Sequence, residues 1–267
     1  MKKTKIRAAC LLMALLAVAF AVPIQAKNAE YSWYCAHVKG HAQPNLASEL
    51  QFIEALGGHY VDRDHSDPNA ADRVIYLTFD AGYENGNVAR VLDVLREEEV
   101  PGTFFILGHL ITSEPELVKR MAAEGHTVGN HTVNHGNMSQ RGEKEILEEL
   151  FHLETMYRDL TGVEMSRYYR PPEGRFSKEN LEVLQKNGYQ TLFWSFAYPD
   201  WDNQKQMDRQ KAKRIIMENL HNGEVMLLHP TSSVNAEILG EVVREAKAQG
   251  YRFASPEEWL GDSHAMG

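Results

Sequence analysis

Five short stretches of this chain carry side chains suited to proton transfer or metal binding, and each follows an apolar run. The first is Thr78-Phe79-Asp80-Ala81-Gly82-Tyr83-Glu84-Asn85, where a β-branched, unalternating run ends on a carboxylate and a glycine turn. A strand of that composition is covered on both faces, so Asp80 falls where a buried strand empties into a βα loop. Such edges assemble active sites, which makes Asp80 a candidate catalytic carboxylate. The alternative is a helix cap, a common use of Asp; Asn85 lies nearer the following helix and fits that cap better. The second stretch is His131-Thr132-Val133-Asn134-His135. Two histidines four apart share a face if the loop continues into a helical turn, close enough to bind one metal; taken alone, solvated loop histidines are the ordinary reading. Arg170-Pro171-Pro172-Glu173-Gly174 is a rigid turn that fixes an arginine and offers backbone N–H groups beside it, or a purely structural Pro-Pro turn. Ser195 to Trp201 brings Asp200 and Trp201, and Leu227-Leu228-His229-Pro230 brings a histidine.

The elements that must position these groups alternate regularly. A strand over Val74 to Phe79 leads to a helix over Asn87 to Glu98, then a strand Thr103 to Ile106 introduced by Pro101-Gly102. Ser113 with Glu116 reads as a capping box opening a helix that Gly125 ends, followed by a strand Thr127 to Asn130. A long helix from Glu143 to Leu160 closes at Thr161-Gly162. Strand Tyr168 to Arg170 precedes a helix capped by Ser177 and stopped by Gly188. Strand Tyr189 to Trp194 precedes a helix from Asp208 to His221, and strand Val225 to Leu228 precedes a last helix ended by Gly250, with Phe253 on a final short strand. About seven strands alternating with helices, without a break in composition, predict a single barrel-like parallel α/β domain over residues 73–262. Residues 27–72 are polar and irregular, with a helix expected over Ser48 to Leu56, and read as an N-terminal extension packed on the barrel; Tyr31, Trp33 and Tyr34 pack there or bind sugar.

Composition narrows the function. The chain has 267 residues, 43% hydrophobic and 24% charged, enough for one sizeable core. Lys2, Lys3, Lys5 and Arg7 precede an uncharged apolar run from Ala8 to Val22, and Pro23-Ile24-Gln25-Ala26 suits cleavage before Lys27. Residues 1–26 therefore read as a secretory signal peptide, with an uncleaved anchor as the alternative. This places the protein outside the cell or in its envelope, with no stable span after cleavage. Four basic and no acidic residues precede position 27, so the net charge of −9 becomes −13 in the mature chain. That balance argues against a nucleic-acid partner. Only Cys35 remains after cleavage, which excludes an intrachain disulfide and a cysteine-based zinc site; a buried spectator thiol is expected.

The order of the five stretches is more specific than any one of them. Thr78-Phe79-Asp80, His131-Thr132-x-x-His135, Arg170-Pro171-Pro172-x-Gly174, Asp200-Trp201 and Leu228-His229 together resemble the polysaccharide deacetylase family, the carbohydrate esterase group with the NodB homology domain. The resemblance covers essentially all of residues 74–260. Gly82-Tyr83-Glu84-Asn85-Gly86, Phe193-Trp194-Ser195 and Asn235-Ala236-Glu237 are similar to the subgroup of spore-forming bacteria that de-N-acetylates muramic acid in peptidoglycan, a step toward the muramic δ-lactam of spore cortex. This implies a distorted (β/α)7 barrel, a monomer acting on peptidoglycan glycan strands, and a divalent metal, zinc by preference. It also implies roles. Asp80 is the base, Arg170 holds it ionised, His131 and His135 bind the metal, and the N–H of Glu173 completes an oxyanion hole. His229 is the acid, tuned by Asp200, and Trp201 walls the sugar groove, with Tyr83 also at the substrate. Three positions depart from the family pattern. Its second Asp, the third metal ligand, is Ala81 here, with Asp80 or Glu84 as possible substitutes; the first Asp of its fourth motif is Ala197, and its usual Tyr or Arg in the Pro-Pro turn is Glu173. Two other functions stay open: deacetylation of N-acetylglucosamine in peptidoglycan or chitin-like glycans, and a non-catalytic glycan-binding protein.

Overall fold

The computed structural model describes residues 29–261. The leader expected over residues 1–26 lies outside them. In chain order the elements are β1 (Glu30–Ser32), α1 (Phe52–Ala55), β2 (Gly58–His59), β3 (Arg73–Ala81), α2 (Val88–Glu97), β4 (Thr103–Ile106), α3 (Gly108–Ser113) and α4 (Pro115–Ala123). There follow β5 (Thr127–Asn130), α5 (Glu143–Thr161), β6 (Tyr168–Tyr169), β7 (Arg175–Ser177), α6 (Lys178–Lys186), β8 (Gln190–Leu192), α7 (Arg209–Asn219), β9 (Glu224–Leu228), α8 (Ser233–Ala248), β10 (Tyr251–Phe253) and α9 (Pro256–Leu260).

Parallel pairing runs β10-β3-β4-β5-β6-β8-β2, with β9 also on β3. Beyond β8 the chain turns onto β9, where Ser195 N donates to Val225 O and Leu227 N to Phe196 O, both at 2.9 Å. The sheet thus curls into the expected distorted barrel. Alternation along the strands sorts the core. Val74, Tyr76, Phe105, Tyr168, Leu192 and Val225 fill the interior, closed at one end by Trp259 and Leu260. Ile75, Leu77, Phe79, Phe104 and Ile106 face outward under α2, α4 and α8, and a second outer cluster under α5 and α6 takes in Trp33 and Phe193.

The extension is more than a wrap. β2 pairs in parallel with β8 through Gly58 and His59, and so joins the main sheet, while β1 pairs antiparallel with β7. Trp33 stacks on Phe193 with ring centroids 4.5 Å apart, whereas Tyr34 is exposed. The two-residue β2 carries no periodicity for a sequence reading to find. The helix expected over Ser48 to Leu56 divides into a 3-10 turn at Ser48–Leu50 and the short α1.

Two caps differ from expectation. Ser113 is the last residue of α3, an unpredicted helix, and α4 begins with Pro115 at its first position, whose missing N–H leaves no need for a Ser-Glu box. At α2 the cap position is Asn87, not Asn85, and the N–H of Val88 is taken by Glu84 Oε2 at 2.9 Å. Ser177 caps α6 as expected, accepting from Asn180 N at 3.0 Å, and Asp208, expected as the first residue of α7, is its cap, accepting from Lys211 N at 3.0 Å. Gly162 ends α5 in the left-handed conformation, φ 75°.

Candidate active site

Register brings four of the five stretches to one rim, and the fifth reaches it through the hydrogen bonds of Asp200 to His229. Phe79 pairs with Leu228, so Asp80 and His229 follow on neighbouring strand ends; Ile106 pairs with Asn130, and Asn130 with Tyr169, so His131 and Arg170 follow in the same row.

Arg170 is fully buried at the top of the barrel interior, its guanidinium 4.2 Å from the Phe105 ring centroid. Four hydrogen bonds hold its fork. Nε donates to Leu192 O (2.8 Å), Nη2 to Phe193 O (3.1 Å), and Nη1 to Thr78 Oγ1 (2.9 Å) and Asp80 Oδ1 (3.0 Å). Thr78 Oγ in turn donates to Met226 O at 2.8 Å, which orients it to accept from the arginine. The Asp80 side chain keeps 12% of its surface exposed, enough for solvent or substrate to reach the second oxygen. Burial works to raise the pKa of Asp80, but the charges of His131, Arg170 and His229 outweigh it and hold the carboxyl below its ordinary value.

His131 Nδ1 hydrogen-bonds Arg170 O at 2.8 Å, which places the ring proton on Nδ1 and leaves the Nε2 lone pair 3.6 Å from Asp80 Oδ2. Burial pushes this histidine down to about 4, so it is neutral at physiological pH. The His135 ring lies 5.0 Å away at 71°. Between them Thr132 has φ 73° and His135 itself φ 56°, left-handed conformations that cost about 1–3 kcal/mol each for such residues.

On the opposite side of Asp80, His229 Nδ1 meets Asp200 Oδ1 at 2.7 Å, and the His229 N–H donates to Asp200 Oδ2 at 2.8 Å. Burial works to lower the His229 pKa; the hydrogen bond and charge of Asp200 outweigh it and raise the imidazole above its ordinary value. Asp200 is anchored by Asn235, whose Nδ2 donates to its Oδ2 at 2.5 Å and to His229 O at 3.1 Å. At the rim, Trp201 is 65% and Tyr83 45% exposed, the latter accepting from Asn203 Nδ2 at 2.8 Å. Glu173 is left-handed (φ 55°) and its exposed carboxylate pairs with Arg175 at 3.0 Å. The glycine after it is required. Gly174 has φ 65°, and a Cβ there would lie 3.0 Å from both Trp33 and Trp194.

An ionised carboxylate and a raised-pKa histidine on neighbouring strand ends form an acid–base pair at a rim that carries the exposed Trp201 and Tyr83. The family described as polysaccharide deacetylase matches residues 67–192. Over 95% of its length the chain is 37% identical to the peptidoglycan-N-acetylmuramic acid deacetylase PdaA of Bacillus subtilis, covering 93% of that protein. The chain belongs to the polysaccharide deacetylase family. It is thereby a hydrolase of N-acetyl amide bonds in glycans. The solved structure of Bacillus subtilis PdaA, a family 4 carbohydrate esterase, superimposes on this deacetylase with a TM-score of 0.81 at 36% identity, covering 86% of this chain and 97% of that one. A peptidoglycan-N-acetylglucosamine deacetylase of Bacillus cereus is 29% identical over 72% of this chain and 91% of its own.

Deacetylases of this family generally depend on a divalent metal. In this one, the described residues contain no group of three or more His, Cys, Asp or Glu side chains set to hold an ion. Position 81 is an alanine buried in the outer apolar cluster, and Glu84 is committed to the first turn of α2. Two imidazoles do meet, one with its Nε2 lone pair fixed toward the rim. That donor set fits a divalent ion held by His131 and His135, with its remaining positions open. The sequence reading did not single out Thr78 or Asn235 for their hydrogen bonds, although both lie within stretches that carry the family resemblance. Their partners stand 92 and 35 residues away, and no spacing rule reaches so far.

Proposed function

We propose that this deacetylase is exported and hydrolyses the N-acetyl group of N-acetylmuramic acid in peptidoglycan, preparing the muramic δ-lactam of spore cortex, and that it acts as a monomer. The observation that carries the reading is the pairing of Asp80, kept ionised by Arg170, with His229, kept protonatable by Asp200, on adjacent strand ends. The 37% identity to the muramic acid enzyme along nearly the whole chain supports the substrate.

In this reading Asp80 takes a proton from the water that attacks the acetyl carbonyl. The backbone N–H of Glu173, presented by the Pro-Pro turn, donates to the oxygen that becomes negative. His229 then protonates the sugar nitrogen as the C–N bond breaks, so that amide and water leave as acetate and free amine. Arg170 holds Asp80 in place throughout, and Trp201 and Tyr83 flank the sugar. A divalent ion on His131 and His135, zinc by preference, would supply Lewis-acid polarisation of the carbonyl and of water.

The test uses residues 27–267, freed of metal and then titrated with zinc, cobalt, manganese and magnesium, with acetate release followed on peptide-free peptidoglycan. Mass analysis of the products assigns the sugar. Release from muramoyl units bears the proposal out. Release from glucosamine units alone moves the specificity to that of the Bacillus cereus relative, and binding without any release makes the protein a glycan binder.

A further inference from the structure

We propose that Glu149, on the long helix α5, is a positioning residue for the histidine loop, setting how tightly His131 and His135 hold their cation. The inference rests on the reading above that these two histidines bind a divalent ion. Glu149 Oε1 accepts from two consecutive backbone N–H groups of the loop, Val133 N at 3.0 Å and Asn134 N at 3.1 Å. Those residues lie between the two imidazoles. The next residue of α5 acts on the same loop: Leu150 O accepts from Asn130 Nδ2 at 3.0 Å, while Asn130 Oδ1 accepts from Thr132 N at 2.9 Å. Thr132 Oγ1 closes the far side by accepting from Gly136 N at 3.2 Å.

The clamp holds what the loop would not hold alone. Thr132 and His135 both sit in the left-handed region, which a β-branched residue avoids unless its surroundings dictate it. Asn130 and Thr132 are buried, but Asn134 is exposed and lines, with Gly136, Glu149 and His152, an open groove of about 370 Å³. Solvent therefore reaches the stretch that Glu149 restrains. With no carboxylate there, the two N–H groups would turn to water and the backbone between the ligands would relax toward ordinary angles. The imidazoles would then have to be ordered by the ion itself, at the expense of affinity. Where Ala81 supplies no third ligand, that preorganisation matters more.

The experiment compares Glu149→Ala and Glu149→Gln with the parent, all as residues 27–267. The readouts are zinc affinity by titration calorimetry, the visible absorption of the cobalt(II) form, and zinc-dependent activity. Glu149→Ala should bind zinc about ten-fold or more weakly, with kcat at saturating zinc close to the parent's and an altered cobalt spectrum. Glu149→Gln keeps the Oε1 acceptor and should restore affinity. Equal zinc affinity in parent and Glu149→Ala would overturn the inference, as would Glu149→Gln behaving like the alanine variant, which would make charge rather than the hydrogen bonds responsible. If Glu149→Ala fails to fold, Glu149→Asp, which withdraws the carboxylate by one methylene, should bind zinc more weakly than the glutamine variant, and equal affinities would overturn the inference. A parent that binds neither zinc nor cobalt overturns the two-histidine reading itself, a failure visible before any variant is compared.

Discussion

Asp80 stays charged in a nearly closed site because Arg170 and the protonatable His229 face it, and Arg170 stays in place because Thr78 and two carbonyl oxygens also accept from its fork. Asp80→Asn keeps the shape and removes the proposed base. The rate of acetate release should fall by roughly 10²–10⁴ with substrate binding retained, and a variant turning over within a few-fold of the parent would remove Asp80 from the role of base. In the proposed mechanism His229 must carry a proton to give one away. Asp200 raises its pKa, so the protonated form persists further into the alkaline range than that of a free imidazole. Asp200→Asn removes the raising charge, and the alkaline limb of the kcat profile should move to lower pH, which a pH–rate series on both proteins will show.

Among the elements, the turn into β9 has the least room. Gly223 has φ 75°, its N–H donates to Val74 O at 2.9 Å and its carbonyl accepts from Asp62 N at 2.9 Å, joining the extension to the start of β3. A Cβ on Gly223 would lie 2.3 Å from the Asp62 carbonyl oxygen. Gly223→Ala therefore suffers both the left-handed penalty of about 1–2 kcal/mol and a backbone displacement, and chemical denaturation should show a loss of at least that size. Helices were easier to anticipate than their starts. α5 announces itself through long amphipathic spacing and a closing glycine, whereas α3 is six residues without a cap signal, and its omission misplaced the start of α4.

At the scale of the whole molecule, Glu224 is a fully buried acid where β9, the extension and the base of the barrel meet. One oxygen accepts from His221 N at 3.0 Å; the other finds no partner among the described residues. Burial raises its pKa well above the ordinary 4.5, so the folded protein keeps a proton that the unfolded chain releases. Stability then falls as the pH rises past 4.5. Glu224→Gln should flatten the decline of Tm as the pH rises above 4.5 without lowering Tm at neutral pH, as thermal melts at stepped pH would reveal. A decline as steep as the parent's would mean that other groups govern it. The same junction pushes the half-buried Cys35 thiol up to about 12, through burial first and the Glu224 charge second, in keeping with an inert thiol.

What this sequence determined by itself was local. Unalternating apolar runs mark buried parallel strands, helical spacing marks the outer layer, and the polar residues that end each run, Asp80, His131, Arg170, Asp200 and His229, mark the rim, because chemistry at a strand end interrupts an otherwise apolar pattern. Only the tertiary structure decided how those groups bear on one another. The register of β3 against β9 makes neighbours of Asp80 and His229, which lie far apart in the chain. Curling of the sheet lets Arg170 reach Thr78, and the packing of α5 and α8 sets Glu149 on the histidine loop and Asn235 on Asp200. A hydrogen bond depends on distance and direction in space, and across such separations the chain path carries neither until the core has packed.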